Sequence, residues 1–267
     1  MQNLNAAVIF WQVLYNITKE KIMNLNKLMT GAVLIAAFAT SAIAEDRTIR
    51  MATEGAYKPY NFINDNGEID GFEKHLGDEL CKRANLKCTW QTEAWDPIIP
   101  NLVSGNYDTI IAGMSITAER DEIIDFTQEY FPADPSTYVA LAGASNDAIN
   151  GVVAAQTSTI QAAYAAGTNA TVVEFATPEE TIAAVRNGEA DAVLADAAYL
   201  ADFVSSSNGE LIYVGDPVAI GGGIGMGVRE SDTDLKATMN TAIASMKADG
   251  SLAKLIFEWF DGRVVKY

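Results

Sequence analysis

Two charged residues and a small set of hydroxyls carry the chemistry open to this sequence. Arg120 closes "GMSITAER" (113–120), where a glycine, a methionine and hydroxyl residues lead from an apolar strand into a helix start. Asp196 closes "DAVLAD" (191–196) in the same way. "AAQTST" (154–159) ends a further strand and sets Ser158 and Thr159 at a helix N-terminus. A guanidinium fork matches a carboxylate bidentately, and an aspartate matches an ammonium. Ligands of open α/β sheets sit beyond the carboxyl ends of the strands, where all these residues fall. Together they form a receptor for an α-amino acid. Taken singly, each has a plainer use: the arginine as a surface ion-pair partner, the aspartate as a helix N-cap.

Other chemistries find little support. The single histidine, His75, lies on the polar side of a helical segment, which predicts exposure. Cys81 and Cys88 bound the short stretch "CKRANLKC". In an exported chain such an isolated pair reads as a disulfide, and without a histidine cluster it is a poor metal site. The glycine-rich run 215–230 fails G-x-G-x-x-G, because Val228 stands where the last glycine belongs, and no P-loop lysine follows. It reads as a return crossover. No nucleophile–base pair is evident.

The positioning elements alternate. "TIRMAT" (48–53) reads as a strand and 70–85 as a helix with Phe72, Leu76 and Leu80 on one face. "KCTWQT" is a strand, "DPIIPNLVSG" a helix and "YDTIIA" a strand again. This order predicts α/β construction with largely parallel sheets. "SGNYDTIIA" (104–112) is echoed by "NGEADAVLA" (187–195), which predicts two similar units, with Gly105 and Gly188 as helix C-caps. Residues 233–248 form a long amphipathic helix whose stripe is Leu235, Met239, Ile243 and Met246.

At the N-terminus, residues 23–44 carry Lys27, an apolar run and Ala42-Ile43-Ala44, the pattern of a signal peptide cleaved after Ala44. The apolar run is shorter than the ~20 residues a membrane span needs. Residues 1–22 spoil that architecture, so Met23 is the expected initiator. The formal charge is −17, and losing residues 1–44, with three lysines and one glutamate, takes it to about −19. Phosphates would be repelled, which excludes nucleic acid and anionic membrane surfaces as partners.

Read in order, "TEGAYKPYNF", "DGFEKHLGDELCKRANLKC", "WDPIIPNL", "DTIIAGMSITAERDEIIDFT", "QTST", "DAVLAD" and "GIGMGVRE" resemble one known family. It is the periplasmic substrate-binding proteins of polar amino acid ABC transporters, the lysine/arginine/ornithine-, histidine- and opine-binding group. The resemblance covers essentially the whole mature chain. It implies a two-lobed periplasmic binding protein of type II, α/β in class, whose lobes are joined by two crossover strands and close on the ligand like a clamp. The first lobe would take 45–133 and the return segment 222–267, and the second 134–221.

The resemblance also implies roles. Arg120 matches the carboxylate-binding arginine and Asp196 the ammonium-binding aspartate. Ser115 and Thr159 match hydroxyl ligands of the α-carboxylate, with Ser158 nearby. Tyr57 and Trp95 match an aromatic pair that sandwiches the ligand side chain. Glu54 stands where binders of basic amino acids carry an aspartate for the distal cation, and Cys81 and Cys88 match the family disulfide. The sequence departs from the pattern at Ala112 and Gly113, where serines are usual, and at Ile160, where glutamine is usual. Gly113 would leave room for the carboxyalkyl arm of an opine. The function implied is capture of an amino acid of arginine, ornithine or lysine type for an inner-membrane ABC permease, by a periplasmic monomer without cofactor or metal. An opine or a glutamine-like ligand is the alternative within the class. An enzyme like the cyclohexadienyl dehydratases, which share the scaffold, is the alternative outside it.

Overall fold

The computed structural model describes Thr48–Tyr267; the signal peptide, its cleavage site and the Met23 start lie outside the described residues. Five strands, β1 (Thr48–Thr53), β5 (Lys87–Thr92), β6 (Thr109–Ile110), β7 (Asp125–Phe126) and β13 (Gly227–Val228), form the sheet of the first lobe in the order β5-β1-β6-β13-β7. A second sheet has the order β10-β9-β11-β8-β12. Its strands are β8 (Ser136–Leu141), β9 (Val152–Gln156), β10 (Thr171–Phe175), β11 (Ala192–Asp196) and β12 (Leu211–Val218). A small antiparallel ribbon, β2 (Ala56–Tyr57), β3 (Asn61–Ile63) and β4 (Ile69–Asp70), follows β1.

Eight helices flank these sheets among the described residues. In chain order they are α1 (Phe72–Arg83), α2 (Ile98–Val103), α3 (Ala118–Asp121), α4 (Ile160–Ala166), α5 (Pro178–Arg186), α6 (Ala197–Ser206), α7 (Thr233–Ala248) and α8 (Ser251–Trp259). The stripe read on α1 is the buried one: Phe72, Leu76 and Leu80 lie in one cluster with Met239, Ile243 and Met246 of α7. The second lobe is built on separate clusters, one joining Val139, Ala154 and Val193 beneath α5 and α6. Gly105 and Gly188 each sit one residue past a helix C-cap with φ of 80° and 74°. This is the left-handed position that favours glycine. Cys81 at the end of α1 is bonded to Cys88 in β5, their Cα atoms 6.3 Å apart, within the ordinary span of a disulfide. His75 is half exposed and lies 3.3 Å from Asp70.

The sheets correct one expectation. They are mixed rather than largely parallel. β1 runs parallel to β5 and β6, and β9 parallel to β10 and β11. However, β13 runs against both β6 and β7, and β8 against both β11 and β12. The odd strands, β8 and β13, are those that enter just after the chain crosses between lobes. A strand arriving from the other lobe has no crossover helix behind it to turn it parallel to its neighbours. The crossings are the stretches between β7 and β8 and between β12 and β13, so the second sheet is an insertion within the first.

Candidate functional site

Between the two sheets lies a cavity whose empty space, counting its open mouth, is about 340 Å³. Of the residues singled out from sequence, Glu54, Tyr57, Trp95, Gly113, Ser115, Arg120, Thr159 and Asp196 all line it. Ser158 does not. Ala112, Gln156, Ile160 and Gln161 complete the wall.

Arg120 stands at the start of α3, whose N-cap Thr117 accepts the Arg120 N–H at 3.2 Å. The side chain is buried, 9% exposed. It donates through Nη1 to the Ser115 carbonyl at 3.0 Å, and its guanidinium lies 5.3 Å from the centroid of the Trp95 ring. Among the described residues no carboxylate pairs with it. Burial pushes its pKa down to about 10, a shift that Asp196 and Glu119 only partly oppose. A desolvated guanidinium with one hydrogen bond out of a possible five donors is an open seat for an anion.

Asp196 occupies the N-cap position of α6 but makes no capping bond. Its carboxylate instead accepts from the Tyr57 hydroxyl at 2.9 Å and from Gln161 Nε2 at 3.0 Å. The Asp196 N–H donates back to the Tyr57 oxygen at 3.2 Å. Burial raises its pKa to about 6, opposed by the Tyr57 hydrogen bond and the Arg120 charge and aided by the charge of Asp134. Tyr57, from β2 of the first lobe, thus touches β11 of the second. One face of its ring stacks on Tyr199, with centroids 4.2 Å apart and planes 5° from parallel.

Glu54 follows β1 on the floor of the cavity. Burial pushes its carboxyl up to about 7; a hydrogen bond from Gln156 opposes the shift and the charge of Glu179 adds to it. That hydrogen bond, Gln156 Nε2 to Glu54 Oε1 at 2.6 Å, crosses between the lobes.

The remaining expected groups are placed less simply. Trp95 is buried against the first-lobe core and reaches across to donate its Nε1 to the Ser158 carbonyl at 3.2 Å. It makes no ring contact with Tyr57, so the two aromatics are separate walls of the cavity. Ser158 lies outside the cavity wall: its hydroxyl donates to Asp96 at 2.6 Å, a second link between lobes. Thr159 caps α4, accepting from the Ala162 N–H at 3.1 Å and donating to the Gln156 carbonyl at 2.6 Å, so its hydroxyl proton is already engaged. Gly113 has φ +63°, and its N–H donates to Glu73 Oε1 at 2.7 Å. A Cβ there would meet Tyr57 at only 3.7 Å, an ordinary contact. The left-handed backbone therefore accounts for the glycine, whatever space it also leaves.

Three polar residues that shape the site have no mark in the sequence reading. Glu73, fully buried on α1, binds Asn61 at 2.8 Å, the Gly113 N–H and the Tyr130 hydroxyl, and so fixes the loop that leads to Ser115. Gln161 Nε2 bridges Asp196 and Ser136 Oγ, each at 3.0 Å. Gln156 holds Glu54. Each lies beside a stronger signal, an apolar helix face or the "TST" hydroxyls, and only the tertiary contact reveals its use.

A cavity walled by two α/β lobes, the second inserted in the first through two crossovers, defines the class of hinged, two-lobed solute receptors. Residues 49–262 match the bacterial extracellular solute-binding proteins, family 3, and the chain belongs to that family. It is 32% identical to the lysine/arginine/ornithine-binding periplasmic protein of Escherichia coli (strain K12), over 85% of this chain and 92% of that one. It is 30% identical to the ABC transporter arginine-binding protein 1 of the same strain, over 88% and 99%. Among solved structures, it is similar to a periplasmic His/Glu/Gln/Arg/opine family-binding protein from Silicibacter pomeroyi in complex with lysine. That match has 64% identity and a TM-score of 0.79 and covers 82% of this chain and 100% of the other.

Proposed function

We propose that this protein captures a cationic α-amino acid, of arginine, lysine or ornithine type, for an ABC importer. The observation that carries the reading is the charge balance of the cavity wall: two carboxylates, Glu54 and Asp196, face one guanidinium, Arg120. A ligand with one carboxylate and two cations complements that set. Arg120 takes the α-carboxylate, Asp196 the α-ammonium and Glu54 the distal cation, while Tyr57 and Trp95 wall the side-chain slot. Ser115 lies beside the α-carboxylate. An opine brings a second carboxylate into a wall with a single cation, and a glutamine-like ligand leaves buried Glu54 without a charge partner. Both fit less well.

The relatives support the same reading, since they are binding proteins named for arginine, lysine and ornithine, and the S. pomeroyi protein holds lysine. The chain acts as a monomeric binder rather than an enzyme. It is exported by a signal peptide cleaved after Ala44 and delivers its ligand to a membrane permease, with no cofactor.

The deciding experiment is calorimetry with arginine and glutamine on the wild type and on Glu54→Gln. The substitution is expected to cost arginine about 2–5 kcal/mol, the usual loss on truncating a desolvated charge pair, and to leave glutamine almost unchanged. Equal arginine affinity before and after rules out the cationic reading.

A further inference from the structure

Gln156 is 7% exposed at the last position of β9, in the second lobe. Its amide nitrogen makes two hydrogen bonds, to Glu54 Oε1 at 2.6 Å and to the Ala176 carbonyl at 3.1 Å. A carbonyl can only accept, so the Ala176 contact fixes the nitrogen, not the oxygen, toward Glu54. The end of β9 is itself held in place: the Thr157 N–H donates to the Phe175 carbonyl at 2.9 Å, one residue before Ala176. The donor is therefore anchored on a rigid sheet and aimed at one carboxylate oxygen. Oε2 of Glu54 has no hydrogen-bond partner among the described residues.

The two carboxylates of the cavity are served by the same chemistry in different ways. Asp196 takes its amide donor, Gln161, from its own lobe and only a phenol donor, Tyr57, from the other. Glu54 belongs to the first lobe, and the amide that holds it belongs to the second. With the lobes apart Glu54 loses this donor, and its several rotatable bonds let the carboxylate turn toward water. With the lobes together, Gln156 pins Oε1 and leaves Oε2 aimed for a ligand. The other titratable groups acting on Glu54, Glu179 in α5 and the Tyr199 phenol in α6, also come from the second lobe. A second carboxylate there disfavours the charged form of Glu54, and the Gln156 N–H favours it.

We infer that Gln156 is a specificity-determining positioning residue, which by hydrogen-bonding Glu54 across the closed cleft fixes the carboxylate that selects a cationic side chain. The inference rests on the cationic reading above.

The test uses arginine and its neutral near-isostere citrulline as probes. Gln156→Met keeps the length and the apolar stem but removes both N–H donors. The wild type is expected to prefer arginine. In Gln156→Met that preference is expected to shrink by about tenfold or more, as for loss of a hydrogen bond to a charged group, with citrulline affinity little changed. The pH at which arginine binding is half recovered is also expected to rise, because Glu54 loses a donor that favours its charged form. Gln156→Asn, whose amide is one methylene short of Glu54, is expected to behave alike, so a folding defect in one variant leaves the other to decide. Equal losses for arginine and citrulline, or an unmoved pH midpoint, would mean Gln156 merely supports the fold. A wild-type preference that survives both substitutions overturns this inference alone. No preference in the wild type overturns the cationic reading and this inference with it.

Discussion

Arg120→Met separates a ligand seat from a structural arginine, because the two roles move stability and binding in different directions. In the ligand-free protein the guanidinium is desolvated, and its pKa falls well below the usual arginine value, to about 10. A base with a depressed folded pKa destabilises the fold wherever it is charged, hence at every pH below about 10, and relief comes only as pH rises above about 10 toward the ordinary arginine range. At ~1.4 kcal/mol per pKa unit, the penalty is on the order of 3 kcal/mol. Removing the guanidinium relieves it but forfeits the contact with Trp95, about 0.5–2 kcal/mol, and the bond to Ser115, about 1.5–3 kcal/mol. These effects nearly cancel, so ligand-free Arg120→Met is expected to melt within about 5 °C of wild type. Binding is another matter. Truncating the partner of a buried carboxylate costs ~2–5 kcal/mol, a loss of about thirtyfold to several thousandfold. The wild type with ligand at ~100 times its Kd gains about 2.7 kcal/mol, several degrees in Tm, and the variant at the same ligand concentration is expected to gain less than about 1 kcal/mol. Differential scanning fluorimetry with and without arginine, backed by calorimetry, reads both. A variant that binds within tenfold of wild type, or melts more than 10 °C lower without ligand, refutes the argument.

Glu54 and Asp196, with pKa values near 7 and 6, hold protons that the unfolded chain has already released above about pH 4–5. Their contribution to ligand-free stability therefore falls as pH rises from about 4 to 7 and is level beyond. Cation binding runs the other way, strengthening over the upper part of that range and releasing protons. Calorimetry of arginine in buffers of different ionisation enthalpy is expected to show that release near pH 6.5 and to show less of it in Glu54→Gln; no buffer dependence contradicts the burial of these carboxyls. The Cys81–Cys88 bond predicts no titratable thiol in unreduced, denatured protein, and two thiols would contradict it. The loop it closes is short, so breaking it is expected to cost about 2–3 kcal/mol at most by chain-entropy reasoning, read as a shift of the urea midpoint.

Much of this molecule is legible in local pattern. The stripe of α1, the positive-φ glycines 105 and 188 and the strand ends that present Arg120 and Asp196 all follow from periodicity and turn chemistry within a few residues. The glutamines do not. Gln156 and Gln161 stand either side of "TST", and nothing local distinguishes a glutamine that meets a carboxylate 102 residues away from one that meets water. Ser158 is the converse case: its hydroxyl sits among the expected ligands, but its φ of 56° turns the chain there, and the side chain meets Asp96 of the other lobe. Strand direction was hidden for a related reason. Gly227–Val228 has only two residues and no periodicity, and its orientation is set by where the chain has been, not by what it contains.

The insertion of one lobe within the other sets an order in which the molecule can be completed. Once Val218 has been made, the second lobe has its five strands and the residues of both its clusters, which end at Val214 among their buried members. The first lobe at that moment lacks β13, the strand that lies between β6 and β7, and lacks α7 and α8. Met239, Ile243, Met246, Leu252 and Ile256, which cover Phe72 and Leu80, come last of all. A nascent or truncated chain ending near Val218 thus pairs a finishable inner lobe with an outer one whose β6 edge is bare and whose α1 lacks its cover from α7 and α8. Exposed edges and apolar faces of that kind invite association between chains. Loss of a few dozen C-terminal residues would therefore damage the N-terminal half of the molecule most, while the middle of the chain could still fold.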